Sequence, residues 1–428
     1  MPLPTNSIVT GDCFEVLDDL PEGSVHAVVT DPPYFLGDSG FMSRDWDDFS
    51  DSRQYQEWCR QWAELCRRVL KPGGHLLAFG GNTRHHRLFT GVEDAGFEIR
   101  DTLTWHYGSG FPKASDVSKT IDKRADAERE VTSVESGKDL AMQSGNYGNS
   151  AGEEDNTGEL ERRDKPATDA AREWNGWKTG LKPATEFVVM ARKPFEGATV
   201  DSVLKHGTGA LNIDETRIGT NEDTLRPAGT ESENPGLEGG SLSESGRMNG
   251  GHTEGRYPSN VVFDETAAER LDEKNGTTVS QGGREEKASG YGSGNFGGTD
   301  EVVGDSPGFG DKGGPSRYFY TSKASRSERT ENGAIDNDHP TVKPLDLAEW
   351  LIRLVTREGQ VVLDPFTGSG TIPKAAKALN REFVGIEQQP RYADLARVRC
   401  GLTPNDPATV RSDDAQRGFE AYTDGGAD

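Results

Sequence analysis

The chain is most constrained where a strand has to stop. Ser24 to Thr30 is an apolar, β-branched run that reads as a buried strand of a parallel sheet, and it ends abruptly in Asp31-Pro32-Pro33-Tyr34. Two successive prolines have no N–H to give a sheet ladder, so the chain must leave the sheet at Asp31. The turn therefore sits at the carboxyl end of a strand, where open α/β sheets bind ligands. Its chemistry suits the holding of an exocyclic amino group of an aromatic base. That nitrogen is a poor nucleophile because its lone pair is delocalised into the ring. The Asp31 carboxylate can accept one amino hydrogen and the Pro32 carbonyl the other, which favours a pyramidal nitrogen and stabilises positive charge developing on it. Tyr34 offers a face for the base to stack on. Asp31, Pro32, Pro33 and Tyr34 are the candidate catalytic residues, against the plainer reading of a turn that only ends a strand.

A second stretch, Gln360 to Thr371, reads as a strand, a glycine turn and the start of a helix. Gly368 and Gly370 let the backbone approach a ligand closely, and the following helix presents free N–H groups. Downstream, Phe383-Val384-Gly385-Ile386-Glu387 is another buried strand ending in an acid, about 20 residues on, the offset at which nucleotide folds grip ribose hydroxyls. No lysine follows the glycines, so a P-loop is not indicated.

With these elements in this order, the chain resembles the amino-methyltransferases of DNA that use S-adenosylmethionine (SAM), in the order in which the Asp-Pro-Pro-Tyr element comes first and the Phe-x-Gly-x-Gly-Thr element last. The resemblance implies an α/β fold, a Rossmann-like methyltransferase core, circularly permuted, with a mostly parallel seven-stranded sheet and helices on both faces. It implies SAM as cofactor, cradled by Asp364, Phe366, Gly368 and Gly370, with Glu387 on the ribose and Asp12 near the adenine. His339-Pro340-Thr341-Val342-Lys343-Pro344 is similar to the family element beside the methionine part of SAM, which makes Lys343 a cofactor-binding candidate. Double-stranded DNA is the implied partner, with a restriction endonuclease as its companion in some members. The leading Asp31 looks like the adenine form of the turn, whereas cytosine-N4 members more often carry Ser there.

The chain has 72 acidic against 48 basic residues, a formal net charge of −24, which is the wrong sign for a nucleic-acid binder. Either DNA is not the partner, or the protein works in concentrated salt, where charge repulsion is screened to a few ångströms and an acidic surface preserves solubility. Arginines outnumber lysines and acids run through the whole chain, which favours a halophilic cytoplasm. No long apolar run or basic-then-apolar leader is present, so neither a membrane span nor a signal peptide is expected. Cys13, Cys59, Cys66 and Cys400 are scattered, fitting a reducing compartment and giving no metal-site pattern. None of them follows a proline, which argues against a cysteine nucleophile of the kind a cytosine-C5 enzyme needs.

Residues 1–114 are expected to form the catalytic half of the core, including a core-facing helix from Gln54 to Leu70. Residues 115–172 are charged, rich in glycine and serine and poor in large apolar side chains, and read as a disordered insertion. Residues 173–194 return a strand to the core, and 195–335 form a loop-rich target-recognition region with islands around Arg256, Tyr257, Arg317 and Tyr318. Residues 336–402 form the SAM-binding half, with Asp346 a candidate cap for the helix after it, and 403–428 an acidic disordered tail. Phe41, Met42 and Trp46 lie in a loop that could close over a base. The expected reaction is methyl transfer to adenine N6 in DNA. Its rivals are a cytosine-N4 enzyme, an enzyme acting on RNA or a protein amide, a SAM-binding regulator without catalysis and, weakest, a dehydrogenase.

Overall fold

A computed structural model describes residues 2–35, 49–108, 114–136, 160–219, 255–279, 312–322, 337 and 342–407. The strands in chain order are β1 (Ser7–Thr10), β2 (Val25–Thr30), β3 (Leu70–Gly80), β4 (Glu98–His106), β5 (Glu130–Ser136), β6 (Leu160–Lys165) and β7 (Thr185–Arg192). They continue with β8 (Val261–Asp264), β9 (Thr278–Val279), β10 (Lys312–Gly313), β11 (Tyr320–Ser322), β12 (Val361–Asp364) and β13 (Glu382–Glu387). One sheet of nine runs in the order β1-β13-β12-β2-β3-β7-β4-β8-β11. Every neighbour pair in it is parallel except those of β7, which is antiparallel to both β3 and β4.

The count corrects the expected seven strands. The first seven in sheet order are the expected core, and β8 and β11 extend its far edge. Both come from the 195–335 region, where four and three residues are too short to show an alternating pattern.

Period-two alternation sends neighbouring side chains to opposite faces. Ala27, Val29, Leu77, Phe79, Val188, Met190 and Val362 join one core layer. Val28, Leu76, Ala78, Val189, Ala191 and Leu363 join the other. The helices Leu345–Val355 and Thr371–Ala378 cover the first layer. The second is covered by Ser52–Val69, which buries Tyr55, Cys59, Trp62, Ala63, Cys66 and Val69 along one stripe. Asp51 starts that helix by accepting from the Arg53 and Gln54 N–H groups at 2.7 and 2.9 Å, a cap worth about 1 kcal/mol. Asp346 is not the cap of the helix Leu345–Val355: Pro344 holds that position, and Asp346 lies in the first turn, its Oδ1 accepting from Leu347 N–H.

Between β4 and β7 the structure also differs from the sequence expectation. Described parts of 115–172 include the helices Val117–Arg124 and Asp169–Glu173 and the β5–β6 hairpin. Buried Asp122 accepts from the Ala167 and Thr168 N–H groups and the Thr168 hydroxyl and pairs with Arg129 at 3.0 Å, so polar contacts replace the missing apolar core. The charged composition hid this order. Phe41, Met42 and Trp46, His339 to Thr341 and most of the tail lie outside the described residues. Among the described residues no helix is long and apolar enough to cross a membrane.

Candidate active site

The sheet's strand order reverses direction between β12 and β2, and a crevice opens at their carboxyl ends. The two ends are tied together by the Thr30 hydroxyl, which donates to Asp364 Oδ1 at 2.6 Å. Burial pushes the Asp364 carboxyl up to about 7, although the Thr30 hydroxyl and the Phe366 N–H both favour its ionised form. The crevice is lined by the Asp31 to Tyr34 turn on one side and by Asp364, Phe366, Thr367 and Gly368 on the other.

On the catalytic side, Asp31 sits one residue beyond β2. Its Oδ1 accepts from the Tyr34 hydroxyl at 2.7 Å and its Oδ2 from Lys343 Nζ at 2.6 Å. Glu186, near the start of β7, closes the group: its Oε2 lies 3.1 Å from the Tyr34 hydroxyl and 3.3 Å from Lys343 Nζ. Burial by itself lowers the Lys343 pKa, but the two carboxylates more than offset it and hold the ammonium well above its ordinary value. Burial, then Asp31 and Glu186, raise Tyr34 far above the usual phenol range, so it stays a neutral donor. The Tyr55 hydroxyl donates to the Pro33 carbonyl at 2.8 Å and fixes the turn from below.

On the cofactor side, Gly368 has φ +52°, a left-handed conformation that glycine adopts without strain, and its N–H donates to Glu387 Oε2 at 2.8 Å. Glu387 Oε1 accepts from Gln389 N–H at 2.8 Å. Burial raises the Glu387 pKa and these backbone bonds draw it back, while a carboxylate so held keeps lone pairs for hydroxyl donors. Asp12 caps the helix Cys13–Asp19, accepting from Phe14 N–H at 2.8 Å, and faces the crevice. Phe366 forms an aromatic wall, its ring 5.3 Å from that of Trp58 and 5.4 Å from that of Trp62. Cys13 also lines the crevice, but burial and neighbouring Asp12 push its thiol up to about 12, which makes it a poor nucleophile.

The structure thus brings together Asp12, Asp31, Pro32, Pro33, Tyr34, Lys343, Asp364, Phe366, Gly368 and Glu387. Two of the candidates make other contacts as well. Gly370 does not itself line the crevice, and at φ +88° a Cβ there would lie 2.7 Å from the Ala396 Cα, so a glycine permits the close approach of the helix Pro390–Arg399. Lys343 faces the crevice, but its ammonium is committed to Asp31 and Glu186, at 2.6 and 3.3 Å. Glu186 was not singled out from sequence, and Tyr55 and Trp58 were read only as core-facing positions of the helix from Gln54 to Leu70. An acid leading the apolar run of β7 was the one available signal for Glu186.

The described strands form a mixed sheet with a single reversed strand, and its strand-end crevice pairs an Asp-Pro-Pro-Tyr turn with a glycine turn and an acid. The family described as DNA methylase (N6_N4_Mtase) matches residues 25–398, and the chain belongs to that family. It is a DNA amino-methyltransferase, and S-adenosylmethionine is its cofactor. The Type II methyltransferase M.HindIII of Haemophilus influenzae is 23% identical over 437 residues, covering 93% of this chain and 96% of that protein. M.HinfI of Haemophilus influenzae is 29% identical over 118 residues, 25% of this chain and 33% of that protein. Among solved structures, the chain is similar to PvuII DNA methyltransferase (cytosine-N4-specific), at 14% identity and a TM-score of 0.44, over 99% of this chain and 93% of that one.

Proposed function

We propose that the protein is a site-specific DNA methyltransferase that moves a methyl group from SAM to the exocyclic N6 of a flipped-out adenine. The observation that carries this reading is the Asp31 carboxylate at the crevice, leading a Pro-Pro-Tyr turn whose tyrosine ring also lines it. Ser replaces that Asp in many cytosine-N4 members of the resembled family. Asp12, Asp364, Phe366, Gly368 and Glu387 are the residues that would hold the cofactor: an acid with lone pairs to spare, a backbone exposed at a glycine and an aromatic wall suit an adenosyl group. Bound there, SAM supplies an electrophilic methyl carbon on a sulfonium.

Asp31 and the Pro32 carbonyl accept the two amino hydrogens and turn the nitrogen lone pair out of conjugation. Tyr34 supports the ring of the flipped base, which duplex DNA must release before the amino group can be reached. With SAM held in that cradle, its methyl would pass to the amino nitrogen that Asp31 and the Pro32 carbonyl orient, and the proton that nitrogen gives up would leave to water. No covalent enzyme intermediate is required. Mass spectrometry of nucleosides from DNA treated with the purified protein tests the base assignment.

Target selection is assigned to 195–335. Arg256 and Arg317 lie 5.1 and 4.3 Å from the Tyr318 ring centre, so these islands pack on one another, and Tyr257 is 68% exposed beside them. A companion endonuclease belongs to the same reading. The net charge of −24 supports a salt-rich cytoplasm as the setting. Activity and thermal stability are expected to rise together as KCl goes from about 0.1 M to about 2 M, because screening relieves repulsion among the acids and from DNA. An optimum near the lower concentration would leave the acidity without this explanation.

A further inference from the structure

We propose that Glu186 is a positioning residue that keeps the catalytic turn one negative charge in excess, by sharing Lys343 with Asp31. The proposal rests on the amino-methyltransferase reading and deepens it. Asp31 is not a lone carboxylate: a buried ammonium lies 2.6 Å from it, and a pair that close presents a dipole in place of a full charge. Methyl transfer carries one positive charge from sulfur to the amino nitrogen, so a neutralised Asp31 would offer the transition state little. Glu186 restores the balance. Two carboxylates and one ammonium leave a single net negative charge, drawn toward the crevice because Asp31 is the carboxylate of the two that faces it.

Three observations support this division of labour. Lys343 is 7% exposed at its side chain and Glu186 19%, so solvent screens neither well. The Tyr34 hydroxyl lies within hydrogen-bonding distance of both carboxylates, 2.7 Å from Asp31 and 3.1 Å from Glu186, and ties their positions together. Glu186 is fixed on β7, paired in register with Trp105 of β4, and does not line the crevice itself. It therefore acts through Lys343 and Tyr34.

Glu186→Gln keeps an acceptor of the same shape and removes the charge. Binding of two cofactor analogues to the full chain reads the effect without turnover. Sinefungin places an amine cation where the methyl sulfonium stands, and S-adenosylhomocysteine is uncharged there. The preference for sinefungin over S-adenosylhomocysteine should fall about ten-fold in Glu186→Gln, and kcat should fall by a similar or larger factor with KM for DNA nearly unchanged. The double variant Glu186→Gln/Lys343→Met returns the group to one net negative charge and should recover most of the lost preference. A preference unchanged in the single variant, or lost further in the double one, would overturn the proposal. If the wild type methylates no DNA, the functional reading fails, and the analogue preferences still decide the charge argument.

Discussion

Asp31→Ala is expected to reduce methyl transfer to DNA by at least about 10³-fold, while SAM affinity falls by no more than the roughly ten-fold that loss of the group's net negative charge brings. The carboxylate meets the base amino group, not the cofactor cradle, so the loss belongs to the transition state. The structure adds a complication. Removing Asp31 leaves Lys343 with Glu186 as its remaining carboxylate, at 3.3 Å, and stripping one partner from a buried pair costs on the order of 3 to 5 kcal/mol. Asp31→Asn is the companion variant: its amide oxygen can accept from the Tyr34 hydroxyl or from Lys343 but not from both, so it keeps the size of the side chain and loses its charge and one acceptor. Equilibrium binding of SAM and single-turnover methylation of DNA, measured on both variants, check the assignment. Loss of SAM affinity well beyond about ten-fold in Asp31→Asn would show that Asp31 serves the cofactor or the fold.

The second large effect falls on a residue that does not itself line the crevice. Gly370→Ala should destabilise the protein by roughly 3 to 5 kcal/mol, the sum of a left-handed backbone forced on alanine and an overpacked helix contact. The new Cβ would meet the Ala396 Cα at 2.7 Å and the Ala396 Cβ at 2.8 Å. The turn cannot retreat easily, because buried Arg399 donates to the Ser369 carbonyl at 2.9 Å and to the Thr371 hydroxyl at 3.1 Å from behind. Since Ser369 and Gly368 line the crevice, SAM affinity should fall with stability. Thermal unfolding with and without SAM checks both parts. A melting temperature within a degree or two of wild type would mean that the helix Pro390–Arg399 yields more readily than its packing suggests.

The parts of the site that were legible in sequence are those made by consecutive residues. Two prolines must end β2, a glycine pair must turn after β12, and an acid must end β13, so the crevice's three corners could be read along the chain. Glu186 could not, because what makes it functional is the meeting of β7, the turn after β2 and the segment before the helix Leu345–Val355. Gly370 shows the same limit from the other side: a glycine permits close approach, but only the fold says that Ala396 approaches it. The ordered lobe between β4 and β7 was hidden because its stability rests on a carboxylate, Asp122, satisfied by backbone groups 45 and 46 residues further along the chain. Hydrophobic periodicity carries no trace of such a contact.

The central claim is that the Asp31 turn presents an adenine amino group for methylation. Purified protein is incubated with duplex DNA and SAM carrying a labelled methyl group, the DNA is digested to nucleosides, and the products are identified by mass spectrometry. The account predicts labelled N6-methyladenine, absent from the Asp31→Asn reaction. Label found only in N4-methylcytosine would contradict the adenine assignment while leaving the amino-transfer chemistry, and label found only in 5-methylcytosine would contradict the mechanism itself.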